Sequence, residues 1–148
     1  MSRLRTWSAA LAVIGTLMAA DEATAQNVTG AWELIQVGGK ELPAVLEVEG
    51  DCREEVVSAV LTLNADSTWK LERTERDVCG SKTEEETETE TGRYRLTGSN
   101  IEMLDEDGHS QQADAGDDLD DFSVGSVQGN MLNLRLGKTE TQVAFRKR

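Results

Sequence analysis

The chain is short of the residues from which most catalytic and metal centres are built. It has one histidine, two cysteines and one proline among 148 residues, and aromatic residues make up 4% of it. The lone histidine, His109, lies between acidic residues with no serine or cysteine identifiable as its partner, which argues against nucleophile–base catalysis. Cys52 and Cys79 do not form a Cys-x-x-Cys motif, and one histidine cannot complete a zinc set around them. Carboxylates are so plentiful that any acid–base pair chosen from them is arbitrary. The sequence therefore reads as a protein that is not an enzyme, with no catalytic residues, no cofactor and no metal.

Positive charge is also scarce. Fifteen Lys and Arg face 28 Asp and Glu, a formal net charge of −13. Such a chain repels phosphate backbones, which argues against nucleic acid and anionic lipid as partners. The same acidity keeps a protein soluble. Long apolar runs are missing after the N-terminus, so no membrane span is expected in the mature chain. Helical periodicity is missing as well.

The one apolar run, residues 7–20, follows Arg3 and Arg5 and precedes Ala23-Thr24-Ala25. It is shorter than the roughly 20 residues a bilayer requires. A basic start, an apolar middle and small residues before the cut describe a cleaved export signal over residues 1–25. The mature domain then covers residues 26–148, and the protein is expected outside the cytoplasm, periplasmic or secreted. In that oxidising setting Cys52 and Cys79 are expected to form a disulfide.

The rest is a series of period-two alternations separated by turn residues, the mark of strands. Strands are expected at 31–37, 56–64, 68–78, 88–96, 101–105, 122–127, 131–136 and 140–146, with 41–53 as a connecting segment holding Pro43. Short strands and short turns make an antiparallel, up-and-down meander, and closure into a small all-β barrel of about eight strands removes exposed edges. Alternation assigns the interior. Trp32 and Leu34 share a face, as do Leu61 and Leu63, Trp69 and Leu71, Tyr94 and Leu96, and Ile101 and Met103. Phe122 is paired with Val124, Leu132 with Leu134 and Leu136, and Val143 with Phe145. Arg73 and Glu75 fall on the Trp69 face. One such set per strand suits a barrel filled by its own side chains, or one holding a single small ligand.

Three acidic stretches bear on metal and partner binding. Asp105-Glu106-Asp107-Gly108 has the spacing of the middle of a calcium loop with Asp114 at its end, but Met103 would occupy the first ligand position and cannot bind calcium. A hairpin turn is the simpler reading. Asp114, Asp117, Asp118, Asp120 and Asp121 read as a solvated loop. From Glu86 onward, Thr and Glu alternate, placing Glu86, Glu88 and Glu90 on one face of a strand and Thr87, Thr89 and Thr91 on the other. A row of glutamates discourages edge pairing. It also offers an acidic surface to a basic partner.

A family resemblance rests on Gly30-x-Trp32, Gly39-Lys40-x-Leu42-Pro43, Leu61-x-Leu63, Asp66-Ser67-Thr68-Trp69 and Gly92-x-Tyr94. It continues in Gly98-x-x-Ile101, Gly129-Asn130-x-Leu132-x-Leu134 and the closing Phe145-Arg146. In this order and spacing the chain resembles the bacterial lipocalin-like domain family, exported proteins mostly of unassigned function. The resemblance implies that Gly30, Trp32 and Phe145 build the closed barrel end, with a basic residue of a late strand laid over Trp32. Arg146 has the opposite parity to Phe145. Gly30 is expected to leave room for close backbone approach. The resemblance further implies a noncatalytic binding protein, acting as a monomer, that takes a small, partly apolar or amphipathic ligand at the open end. Trp69, Leu71, Arg73, Tyr94, Met103, Phe122 and Leu134 would line that site. The alternatives are a protein-binding barrel, such as an inhibitor of an exported enzyme, or an envelope protein without a small-molecule site. The chain departs from lipocalins in lacking a Thr-Asp-Tyr turn motif and a C-terminal helix.

Overall fold

Alternating apolar and polar side chains give this chain strands with one face to bury, and the molecule buries those faces by rolling the sheet into a barrel. A computed structural model describes residues 27–108, 122–136 and 141–148, apart from the side chains of Phe122 and Ser123. The export signal, His109, the aspartate-rich stretch 114–121, the turn at Gly137 and Lys138 and the Phe122 side chain lie outside the described residues.

The described chain contains ten strands: β1 (Gly30–Val37), β2 (Lys40–Glu41), β3 (Ala44–Glu49), β4 (Cys52–Leu63), β5 (Thr68–Cys79), β6 (Lys82–Thr97), β7 (Asn100–Leu104), β8 (Phe122–Gln128), β9 (Met131–Leu136) and β10 (Gln142–Lys147). All pairings are antiparallel, and no helix among the described residues is long and apolar enough to cross a membrane. Each strand from β4 to β10 pairs with the next, β10 pairs with β1, and β1 pairs with β4. That last pairing closes an eight-stranded, up-and-down barrel of β1 and β4–β10.

Closure is confined to one end of the seam. Gly30 to Glu33 pair with Leu63 to Val60. Beyond that point β1 pairs with β2 and β4 pairs with β3. Irregularities between Leu34 and Gln36 and between Val56 and Ser58 mark the fork. An extra residue in one strand bends it out of the ladder, which separates the two strands. Segment 41–53, expected as a connection, is thus mostly strand.

The strands beside the fork run on past the barrel. β4 and β5 have 12 residues each and β6 has 16. With β3 they form a four-stranded antiparallel blade that projects from the barrel mouth. Its tip is stapled by the expected disulfide, with Cys52 and Cys79 opposite one another in the ladder and their Cα atoms 4.1 Å apart. Pairing of β5 with β6 is unbroken from Thr68 and Arg93 to Cys79 and Lys82. β6 therefore starts six residues earlier than the expected strand at 88.

One apolar cluster fills the barrel, and it contains most of the expected inward set. Val124 is the exception: it is 41% exposed. An irregularity between Phe122 and Val124 shifts the register, so Gly125 takes the inward place opposite Ile101 and Leu134. Period-two alternation cannot anticipate a bulge.

The barrel floor is built around Trp32. Its indole N–H donates to the Val28 carbonyl at 2.8 Å, and the ring has no accessible surface. The cation above it is Lys147, whose Nζ lies 5.5 Å from the ring centroid and donates to the Asn27 carbonyl at 2.7 Å. Lys147 pairs with Trp32 in the ladder, while Arg146 pairs with Glu33. Gly30 is needed for a different reason than the one expected. Its φ is +122°, where only glycine sits comfortably, whereas an added Cβ would meet nothing closer than Lys147 at 3.6 Å.

Candidate functional site

The residues expected to line a ligand site are brought together, and they are packed against one another. Trp69, Leu71, Tyr94, Met103 and Leu134 all belong to the buried cluster. Trp69 lies across Gly92, where a Cβ would come within 2.6 Å of the indole, and its N–H donates to the Leu104 carbonyl at 3.1 Å. The Tyr94 hydroxyl donates to the Asn64 carbonyl at 2.7 Å, and burial, aided by the charge of Asp66, pushes its pKa up. A void wide enough for a water molecule leaves accessible surface on its lining. Trp32, Leu61, Met103, Leu132 and Phe145 are 0% exposed. The barrel is closed-packed around these side chains.

Arg73 stands where the apolar interior ends. It is 4% exposed, and it faces Ala59 on one side and Glu88 on the other in the ladder. Its Nε lies 2.9 Å from Glu75, and its two terminal nitrogens lie 2.9 Å from Glu88 and 3.8 Å from Glu90. One cation thus holds three carboxylates, supplied by two strands, at the barrel mouth. A guanidinium is suited to this because its fork of donors reaches several carboxylates at once.

From Arg73 outward the inward face changes character. Along β5 the residues on this face run Trp69, Leu71, Arg73, Glu75 and Asp77, so the face that is apolar in the barrel becomes acidic in the blade. Neighbouring strands do the same in register. Glu47 of β3 lies opposite Glu54 of β4, which lies opposite Asp77 of β5, which lies opposite Glu84 of β6. Four carboxylates cross the blade in one row. In the next row Glu75 lies opposite Glu86. Glu54, Glu75, Asp77, Glu84, Glu85 and Glu86 line a cleft of about 580 Å3.

The other face of the blade is arranged differently. Glu55 is 6% exposed and accepts from Arg53 at 2.5 Å and from Arg76 at 2.6 Å. These hydrogen bonds, Arg53's first, hold its carboxyl below the usual range. Arg76 also lies 3.7 Å from Glu85. Here acids and bases alternate along the ladder. On the acidic face the cations are Arg73 and Lys82, one at each end, among the described residues.

Like charges directly opposite one another on a sheet destabilise it by about 0.2–1 kcal/mol per pair. Lys82, with its Nζ 3.3 Å from Glu84, offsets the repulsion at one end of the row. The contacts of Glu54 with Asp77 and with Glu47 remain like-charged, and such local losses concentrate at surfaces kept for function. Among the described residues no group of three or more His, Cys, Asp or Glu is arranged to hold a metal ion. After β7 the chain makes a tight turn in which Gly108 N–H donates to the Asp105 carbonyl at 3.1 Å.

Sequence reasoning identified the Thr–Glu alternation and missed the row across the strands. A signal for it existed. If Cys52 and Cys79 are paired opposite one another, counting two residues inward from each puts Glu54 opposite Asp77. The tight turn after Cys79 then places Glu84 beside Asp77. Lys147 was missed too, although it shares the parity of Phe145.

No protein-family model, no curated protein and no solved structure matches the chain. The fold and its surface define a filled, eight-stranded antiparallel barrel extended by a disulfide-stapled acidic blade.

Proposed function

We propose that this is an exported, noncatalytic binding protein of the lipocalin-like kind. In this reading the barrel is the scaffold, and the acidic face of the blade engages a basic protein, such as an exported enzyme that it restrains. The observation that carries it is the row of Glu47, Glu54, Asp77 and Glu84 across four strands. Charged surfaces of one sign steer and select partners of the other. The disulfide supports an oxidising compartment. Lys147 over Trp32 supports the lipocalin-like reading, because it supplies the basic residue that the resemblance calls for. The packed interior favours a protein partner over a small ligand held inside the barrel.

The test is calorimetric titration of the mature protein with a lysine-rich peptide. The triple variant Glu54→Gln, Asp77→Asn, Glu84→Gln should bind at least tenfold more weakly, and wild-type affinity should fall as salt is raised. Equal affinity of variant and wild type would remove the acidic face from the function.

A further inference from the structure

Two blade edges are open to solvent among the described residues, and they differ. The β3 edge is six residues long and is interrupted between Val45 and Glu47. The β6 edge is longer and regular. β6 pairs with β7 only from Arg93 onward, so residues 82–91 have β5 on one side and no described strand on the other. That stretch spans about 30 Å at roughly 3.3 Å per residue. It holds no proline and no bulge, two of the devices that commonly blunt an edge.

The direction of its backbone groups follows from the turn. A two-residue turn joins Cys79 to Lys82, and Tyr94 N–H donates to the Ser67 carbonyl at 2.9 Å. Both observations put the even-numbered residues of β6 in hydrogen bonds with β5. In an antiparallel ladder the intervening residues then direct N–H and C=O the other way. Thr83, Glu85, Thr87 and Thr89 therefore present their backbone groups at the open edge. Side chains sort by the same parity. Glu84, Glu86, Glu88 and Glu90 stand on the acidic face, and the threonines stand on the opposite face.

We infer that the partner is bound by strand addition: an extended segment with lysine or arginine at alternate positions pairs along residues 83–89 of β6. This rests on the proposed function and specifies its partner. Main-chain hydrogen bonds to the edge would supply affinity, and alternate side chains would supply specificity. The charges choose the occupant. A second copy of this edge would set one glutamate row against another, whereas a segment with basic residues on that face would continue the sheet as a charge-complementary ladder. The intervening positions lie beside Thr83, Thr87 and Thr89, which suit threonine or valine, and beside Glu85.

The probe is a synthetic nonapeptide alternating lysine with threonine or valine, compared with a peptide of the same composition whose lysines are blocked together. Thr89→Pro removes one outward N–H without removing a bond to β5, and Thr89→Val leaves the edge intact. The alternating peptide should bind wild type and Thr89→Val alike and Thr89→Pro at least tenfold more weakly, and the blocked peptide should bind wild type at least tenfold more weakly than the alternating one. In the wild-type complex, hydrogen exchange should slow at the amides of Thr83, Glu85, Thr87 and Thr89 and stay unchanged at Glu84, Glu86 and Glu88. This second measurement stands even if Thr89→Pro fails to fold. Binding that leaves those four amides unprotected would overturn strand addition while leaving the acidic face as the docking surface. No binding of either peptide to wild type would overturn both. Protection of the four amides in the free protein, with dimer in sedimentation, would replace the basic partner by a second copy.

Discussion

The barrel and the blade are made from the same strands and obey opposite rules. In the barrel, each cross-strand row brings apolar side chains together, as where Leu61 lies opposite Leu71. In the blade the same face brings carboxylates together, as where Glu54 lies opposite Asp77. Arg73 stands at the boundary and ties three glutamates to the last apolar layer. The difference teaches where stability and function are lodged. The barrel carries enough packing to hold a sheet extension that would not be stable alone, since a sheet needs an apolar face to bury and the face of the blade is acidic. The disulfide supplies the remaining constraint at the far end.

The sharpest way to break this comparison is through the floor. Trp32→Ala leaves a cavity among Leu61, Leu132 and Phe145 and should destabilise the whole protein by about 3–5 kcal/mol, measured by urea unfolding. A loss within a few tenths would show that the floor is not where the fold is anchored.

Next in size is the staple. Replacing Cys52 and Cys79 by serine should lower stability by about 2–4 kcal/mol. Hydrogen exchange should quicken in the blade and stay slow at Leu61, Met103 and Leu132. Equal acceleration in both regions would mean that barrel and blade unfold as one.

The Glu55 side of the blade should respond to acid. The bonds from Arg53 and Arg76 lower the folded pKa of Glu55. Its contribution is therefore present above the unfolded value of about 4.3 and is lost as pH falls through the folded one. The stability gap between wild type and Glu55→Gln should be constant at neutral pH and shrink on acidification. A gap that widens toward acid would contradict the assigned pairing.

Smallest is the effect of relieving the acidic row. Asp77→Asn should raise stability by about 0.2–1 kcal/mol, because it removes a like charge standing between Glu54 and Glu84. The same change should weaken binding of the lysine-rich peptide. A substitution that stabilises and disables together would mark a residue kept for function.

The barrel was legible in the sequence, and much of the blade was not. Met131–Leu136 carries leucine at every second position, so its bounds and inner face follow directly from alternation. The strand at Phe122 misleads because one extra residue turns Val124 outward, and a bulge leaves no periodic trace. Residues 41–53 and 79–87 give little signal, because polar side chains cover much of the blade and alternation has few apolar members there. The Thr–Glu run was readable as an edge with a charged face. The acidic row was not, since its members are separated by some 7 to 23 positions along the chain and meet only through the register.

The central claim is that the barrel interior is scaffold and the blade is the binding surface. Methyl and amide NMR of the mature protein tests it in one experiment, by titrating first a lysine-rich peptide and then a medium-chain fatty acid. The account predicts peptide-induced shifts in Glu54, Asp77, Glu84 and their neighbours, with the Leu71, Met103 and Leu134 methyls unmoved by either compound. Saturable shifts of those methyls with the fatty acid, and none in the blade with the peptide, would contradict it.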